Sequence, residues 1–223
     1  MGLTRELCET INAFDYDSLG DECVFRVKQA IADGMAVALA GCREPQIRMS
    51  VEQFKFLGGN PQASIWGQGV KASVVQAAYV NAAATHVLDF EPMSTPPTHC
   101  VSPTAPVAMA LAEILPVTGK QLIAAVAKGT EIQGRMQLAG GMLVASKLKF
   151  HPTGTAGVLG SAVVASDLLG LGVEGMQHAI GFAASRLGGL LANIGSMVKC
   201  THSATSAASG RSEEHTSELQ SRE

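Results

Sequence analysis

Apolar residues recur along much of this chain at steps of three and four positions, the spacing that places them on one face of an α-helix. In residues 22–41 the positions that keep this spacing are Val24, Val27, Ile31, Met35 and Ala38. Asp21 stands immediately before them, and aspartate is a favoured helix N-cap. The pattern predicts a helix that begins near residue 22 and ends at Gly41.

Similar patterns, richer in alanine and glycine, predict further helices. The predicted ranges are residues 73–86, 106–115, 120–138, 153–169 and 173–185, the last being the final clear helix. Pro106 is expected in a first helical turn, where proline is tolerated, and Pro116 is expected to end that helix. Thr118 opens the helix at 120–138, and the glycine pair at 140–141 closes it.

No segment shows the sustained apolar and polar alternation of a long β-strand. Residues 63–66 could form a short extended piece, and the glycines at 67 and 69 predict a turn after it. Hydrophobic residues make up 47% of the chain but aromatic residues only 4%, so small aliphatic side chains must fill the core. The predicted fold class is therefore all-α, with helices packed closely through alanine and glycine.

Charge, cysteine content and length narrow the function classes. The net charge of −3 provides no basic surface for nucleic acid, so DNA and RNA are not expected partners. The five cysteines show no C-x-x-C spacing, which favours a reducing compartment. The N-terminus lacks a signal-peptide core, and no uncharged apolar run reaches the about 20 residues that span a bilayer. We expect a cytoplasmic protein that does not bind membranes.

The last thirteen residues differ from the rest of the chain. Residues 211–223 are polar and charged, and the apolar periodicity stops before them. They can be interpreted as a disordered terminus. A second interpretation is that residues 211–221 resemble the in-frame translation of a common short-read sequencing adapter. We therefore predict an incomplete domain at residues 1–210, and a non-native or disordered tail at residues 211–223.

Candidate catalytic residues first appear in residues 84–100, a loop broken by proline. It carries His86, Asp89 and His99, and histidine with aspartate can move protons near neutral pH. His99 follows two prolines on a stiffened loop, which favours a functional role. His86 fits a structural role as well, because it can cap the end of the preceding helix, where a cation interacts favourably with the helix dipole.

Two later sites add to this group. His151 precedes a proline and a predicted helix start, where free backbone N–H groups favour an anionic ligand. Lys199 and His202 are three positions apart, so one side of a turn or helix start can present both. A lysine and several histidines in one pocket suit a substrate with several carboxylates. Asp89 would orient a histidine or act as the base itself.

Other chemistries fit the sequence less well. Asp89, His99 and His151 could hold zinc in a metal-dependent hydrolase, but their spacing matches no short metal motif, and Lys199 would repel a cation. Cys100 adjoins His99, yet neighbours in a loop need not meet in space, so cysteine nucleophilic catalysis is a weaker alternative. We expect no metal and no cofactor.

Several segments together resemble the MmgE/PrpD family over residues 21–210. They are residues 27–41, residues 81–91 with the pattern Asn81…His86-x-x-Asp89-Phe-Glu91, His99 with Pro106, Phe150-His151-Pro152, Gly157, residues 169–171, and Lys199-x-x-His202. The resemblance implies a large helical domain, a smaller α/β lid that this chain lacks, and a homodimer. It further implies a metal-independent lyase for a small di- or tricarboxylate, dehydrating a 2-methylcitrate-like acid or decarboxylating a cis-aconitate-like one.

The resemblance also implies residue roles. Asp89, His99 and His151 would be catalytic, with His99 or His151 transferring the proton at a substrate carbon and Asp89 tuning that histidine. Lys199 would bind a substrate carboxylate, and His202 would assist it. The chain departs from the family pattern at Ala82, Glu91, Pro92, Met93 and Cys100, which leaves the substrate open.

Other outcomes remain open at this point. An epimerase of the same family is one alternative, and a non-catalytic helical fragment or degraded paralogue is another. Because the lid is expected to complete the pocket, we expect the full-length protein to be active and this chain alone to be inactive.

Overall fold

The computed structural model describes residues 2–142 and 148–220, with side chains as far as Gly210. The helices are α1 Leu3–Ala13, α2 Asp21–Gly41, α3 Pro45–Leu57, α4 Val74–His86, α5 Val101–Ala112, α6 Gly119–Ala139, α7 Pro152–Leu168, α8 Gly172–Ala184 and α9 Lys199–Gln220. The strands are β1 Ala63–Ile65, β2 Val70–Ala72, β3 Met93–Ser94 and β4 Thr98–His99. Helices dominate these residues, so the predicted all-α class is confirmed.

Two small antiparallel hairpins interrupt the helices. Strand β1 pairs with β2, and the turn between them uses Gly67 and Gly69 with φ angles of 71° and 66°. These left-handed angles favour glycine, which confirms the predicted extended piece and turn. Strand β3 pairs with β4 so that Met93 lies opposite His99. The second hairpin thereby fixes His99 at the start of α5.

Two helix starts follow directly from the local sequence. The Ser73 side chain accepts a hydrogen bond from the backbone of Gln76, and the Gln76 side chain accepts one from the backbone of Ser73. Thr118 and Gln121 repeat this capping box at the start of α6. Each box satisfies two backbone N–H groups that a helix end would otherwise leave free. The predicted starts of α4 and α6 are confirmed.

Other predicted boundaries were wrong. Helix α5 begins at Val101, so Pro106 lies inside it rather than in its first turn. No capping residue marks this helix start in the sequence, because α5 follows β4 directly and Cys100 makes no side-chain cap. Gly20, rather than Asp21, occupies the N-cap of α2. Helices α1, α3 and α9 were not predicted, and α8 is not the last helix.

Helix α7 lies at the centre of the fold. It packs against α5, α6, α8 and α9, and every residue from Pro152 to Ser166 is buried. Glycines permit the helices to pack this closely. A Cβ atom at Gly160 would lie 2.6 Å from the carbonyl oxygen of Gly129 on α6. Although α7 is apolar, no helix in the described residues is both long and apolar enough to cross a membrane. The N-terminal ends of α7 and α9 are thus held side by side.

Helix α9 continues through the predicted domain boundary at residue 210. The backbone therefore does not mark the boundary that the composition suggests. Residues 221–223 and the side chains of residues 211–220 lie outside the described part of the chain. The assignment of residues 211–223 to a non-native or disordered tail stays a prediction.

Candidate active site

The candidate site forms where the ends of three helices meet one loop. His86 is the last residue of α4, and the loop that follows carries Asp89, Glu91 and His99. His151 is the N-cap of α7. Helix α9 contributes Lys199 and His202 from its first turn. The same helix packing that buries the core therefore collects these side chains in one place.

The five residues predicted from the sequence lie in one cluster. His99 Nε2 is 3.3 Å from Asp89 Oδ1, and Lys199 Nζ contacts the same carboxylate oxygen. The rings of His99 and His151 are 6.1 Å apart, and His151 Nδ1 is 3.2 Å from His202 Nδ1. The structure shows their proximity, while their catalytic and binding roles stay predictions.

His86 and Glu91 complete the cluster, and neither was predicted as a site residue. His86 is fully buried, and its Nδ1 lies 2.5 Å from Glu91 Oε1. Its ring stacks on His151 at 5.5 Å and meets the edge of His99 at 4.6 Å. Burial lowers the pKa of His86, so a cation at the end of α4 is not supported. The loop that joins α4 to His99 carries the relevant signal, since it holds a second acidic group, Glu91, besides Asp89.

Asp89 adopts an unusual backbone conformation. Its φ angle is 61°, and it is the only non-glycine residue with a positive φ in the described part of the chain. Aspartate tolerates this left-handed region better than most residues. The conformation turns the chain sharply out of α4 and leaves the Asp89 side chain half exposed next to Lys199. Such local backbone features are common at functional sites.

Glu91 acts as a buried anion between two imidazoles. Burial alone would raise its pKa, but interactions with His86 and His99 outweigh burial and hold the pKa of Glu91 well below its usual range. An ionised carboxylate can only accept, so Nδ1 of His86 donates to it. Nδ1 of His99 is 3.2 Å from the same oxygen, without the alignment of a hydrogen bond.

His151 is uncharged near neutral pH. Burial, together with the nearby His86, His202, Lys199 and His99, lowers the pKa of His151 to about 3. Its backbone N–H donates to the carbonyl of Gly189 at 2.8 Å. Gly189 has a φ of 85°, and a Cβ there would lie 3.0 Å from Cγ of His202. A glycine is therefore needed where this segment passes the two histidines.

The arrangement combines three chemical capacities. A neutral His151 can accept a hydrogen bond, while His99 has a carboxylate oxygen near each ring nitrogen. Lys199 provides a cation beside the half-exposed Asp89. Metal binding is the third capacity: nitrogens of His86, His99 and His151 lie within 4.8 Å of one another. A second possible ligand group combines His86 and His99 with Asp89 and Glu91.

Comparison with known proteins gives consistent matches over most of the chain. Residues 5–212 match the MmgE/PrpD N-terminal domain. The cis-aconitate decarboxylase of Homo sapiens is 30% identical over 213 residues, which cover 93% of this chain and 44% of that protein. The cis-aconitate decarboxylase of Aspergillus terreus is 30% identical over 210 residues, covering 89% of this chain and 42% of that protein. The chain thus spans less than half the length of these relatives.

Proposed function

The chain belongs to the MmgE/PrpD family, and from this premise we propose that the whole protein is a lyase acting on a small di- or tricarboxylate. The observation that carries the proposal is the single cluster of Lys199 with four histidines and two carboxylates. The relatives named cis-aconitate decarboxylase favour decarboxylation of a cis-aconitate-like acid. Dehydration of a 2-methylcitrate-like acid and epimerisation are the alternatives within the family.

Lys199 is proposed to bind a substrate carboxylate. In the free protein its ammonium group contacts Asp89, whose side chain is half exposed. A substrate carboxylate can replace Asp89 as the partner of Lys199, because the exchange substitutes one ion pair for another. His202, one turn along α9, would contact a second oxygen. Release from Lys199 would leave Asp89 to interact with His99 alone.

His99 is proposed to deliver the proton. Asp89 Oδ1 lies 3.3 Å from Nε2 of His99, and this contact orients the His99 ring. During decarboxylation the bond between carbon and carboxylate breaks, carbon dioxide leaves, and the electron pair left on the substrate takes one proton. His99 would supply that proton as the general acid. No metal takes part in this step, and no cofactor is needed to balance it.

His151 is proposed to act as the base in the alternative reactions. Dehydration and epimerisation both begin when a proton leaves a carbon beside a carboxylate. A buried imidazole with a pKa of about 3 is uncharged at neutral pH and can accept a hydrogen bond or, as substrate charge raises its pKa, a proton. The same cluster can therefore start either reaction, and the substrate decides between them.

The assembled protein is proposed to be a homodimer in which an α/β lid covers the cluster. Several large apolar side chains around the cluster are exposed in this part of the chain: Phe90, Phe150, Leu190 and Met197. Phe90 and Phe150 adjoin Asp89 and His151 in the sequence. Apolar surface of this kind favours burial against further protein.

Turnover by the full-length protein tests the proposal. Purified protein would be incubated with cis-aconitate or 2-methylcitrate, with products identified by proton NMR and carbon dioxide measured. We expect carbon dioxide from cis-aconitate, and an about 100- to 10,000-fold loss of turnover in His99→Gln. His178→Ala is the matched control, because His178 is exposed on α8. Absence of turnover of any polycarboxylate by correctly folded protein would instead support a non-catalytic paralogue.

A further inference from the structure

Three imidazoles face one another inside the cluster. The ring centroids of His86 and His99 are 4.6 Å apart, and those of His86 and His151 are 5.5 Å apart. Their ligand nitrogens lie within 4.8 Å of one another, whereas two nitrogens on one tetrahedral zinc ion lie about 3.4 Å apart. Side-chain movements of about 1 Å would thus bring three nitrogens onto one ion. We propose that His86, His99 and His151 form an inhibitory binding site for a divalent transition metal such as Zn²⁺.

Glu91 orients the His86 ring as metal-site histidines are oriented. It accepts a hydrogen bond from Nδ1 of His86 at 2.5 Å and lies 3.2 Å from Nδ1 of His99. Histidines that bind metals commonly present their other ring nitrogen to a carboxylate, which fixes the ring and makes the ligand nitrogen more basic. Glu91 therefore directs Nε2 of His86 away from itself, whereas Nε2 of His99 lies 3.3 Å from Asp89 Oδ1.

His86 provides an independent sign of a missing ligand. Its Nε2 is buried and has no hydrogen-bond partner among the described residues. A buried polar atom without a partner costs about 1–3 kcal/mol, so such atoms are rare unless a water, ion or ligand satisfies them. A metal ion between the three rings would satisfy this nitrogen.

The charges of the cluster permit a cation to bind. Metals bind the neutral form of histidine, in which one ring nitrogen carries a free lone pair. Lys199 opposes a cation, as expected from the sequence, but Asp89 contacts it directly. Glu91 places a second carboxylate next to His86 and His99. Because two carboxylates accompany one lysine, the net charge of the cluster is negative.

The metal is an inhibitor in this proposal. It would occupy the ring nitrogens of His99 and His151, the two groups proposed to transfer protons. Binding of the metal rests on the geometry alone, while inhibition rests also on the proposed function. The two statements can be tested separately, since metal binding can be measured without substrate.

Cobalt binding tests the site directly. Full-length protein, freed of metals with a chelator, would be titrated with Co²⁺ while visible ligand-field absorption is recorded, and with Zn²⁺ by calorimetry. We expect one saturable site per chain. Glu91→Gln should weaken binding about 10- to 100-fold, because it removes the carboxylate that orients His86 and lies beside His99. Lys199→Ala should strengthen binding, because it removes the opposing positive charge.

Two variants and one control complete the test. His151→Ala should abolish the absorption, whereas His178→Ala should leave it unchanged because His178 is exposed on α8. Circular dichroism would establish that each variant is folded, and Glu91→Gln and Lys199→Ala remain informative if His151→Ala unfolds. Absence of saturable binding, or binding that these substitutions leave unchanged, would overturn the proposal. Metal binding without catalytic activity would retain the metal site and reject the proposed lyase.

Discussion

At the scale of single residues, Glu91 shows how a buried charge becomes tolerable. Removing a carboxylate from water is costly, and unpaired ions are rarely buried. Here one oxygen of Glu91 lies within 3.2 Å of Nδ1 atoms on both His86 and His99. The interaction holds the carboxylate in its ionised form and fixes the proton of His86 on Nδ1. One side chain thus fixes the tautomer of His86 and places a carboxylate beside His99.

Substitution of Glu91 by glutamine should therefore affect both stability and the histidines. Glutamine retains an acceptor of similar shape but loses the charge, so we expect the free energy of unfolding to fall by about 1–2 kcal/mol. Urea denaturation followed by circular dichroism measures this change. Nitrogen NMR of the imidazoles should show that Nδ1 of His86 is less firmly protonated. An unchanged spectrum would contradict the orienting role of Glu91.

His151 should make stability depend on pH. Its pKa is about 3 in the folded protein and about 6.5 in the unfolded chain, so the unfolded state binds the proton first as pH falls. Stability is therefore lost progressively between pH 6.5 and pH 3, with a limiting slope of about 1.4 kcal/mol per pH unit. Glu91, whose pKa is lowered, adds a loss of the same sign at more acidic pH.

The contribution of His151 can be isolated with His151→Gln. Urea denaturation at pH 7 and at pH 5 should show a smaller loss of stability in this variant than in the unmodified protein. His86 and His202, whose pKa values are also lowered by burial, keep part of the loss in both proteins. Equal losses in the two proteins would show that His151 does not titrate as the structure indicates.

The site residues that can be predicted from the sequence differ in their local setting from His86 and Glu91, which cannot. His99, His151 and Lys199 could be found because their residue types stand on loops and helix starts, away from any apolar face. His86 ends a predicted helix and has an ordinary structural explanation there. Its significance depends on Glu91, which only the folded loop brings next to its Nδ1 atom. Contacts of this kind have no periodic signature, so residue type and spacing could not predict them.

At the scale of elements, local sequence explains some helices and packing explains others. Helices α4 and α6 begin at capping boxes that can be read directly from the sequence. The described part of α9 consists mostly of alanine, serine and threonine, with little apolar periodicity. Its burial depends on close contact with α7 and α4, which is a tertiary property. Local sequence therefore does not predict α9, although Lys199 and His202 in its first turn are predicted site residues.

Two glycines before α9, Gly189 and Gly195, adopt left-handed backbone conformations, so substituting either should lower stability. Gly189→Ala would strain a backbone with φ 85° and would place a methyl group 3.0 Å from His202. We expect a loss of about 1–3 kcal/mol in unfolding free energy and a lower turnover in the full-length protein. Gly195→Ala is the matched control, because φ there is 91° but a Cβ would meet nothing within 4 Å.

Comparing the two variants separates backbone strain from displacement of His202. Both should be destabilised, since each forces alanine into a left-handed conformation. Turnover should fall only in Gly189→Ala, because only that methyl group contacts a site residue. An equal loss of turnover in both variants would mean that strain in this segment, rather than contact with His202, controls the site.

At the scale of the whole molecule, the candidate site lies at a surface that carries apolar side chains. Leu190 is 55% exposed and Met197 is 50% exposed, and both precede the first turn of α9. Exposed apolar surface beside a polar cluster is typical of a region that packs against further protein. The relatives are more than twice as long as the matched segment, and the proposed lid would cover this surface.

Substitutions on this surface should therefore have opposite effects in two forms of the protein. In residues 1–210 alone, Leu190→Ser with Met197→Ser should reduce aggregation, because apolar groups leave a solvent-exposed surface. In the full-length protein the same pair should lower stability and turnover, because it removes apolar groups from an interface. Phe56→Ser is the matched control: Phe56 is 86% exposed on α3, which contributes no residue to the cluster. Light scattering and turnover measure the two effects, and a pair that behaves like Phe56→Ser in both forms would show that further protein does not cover this surface.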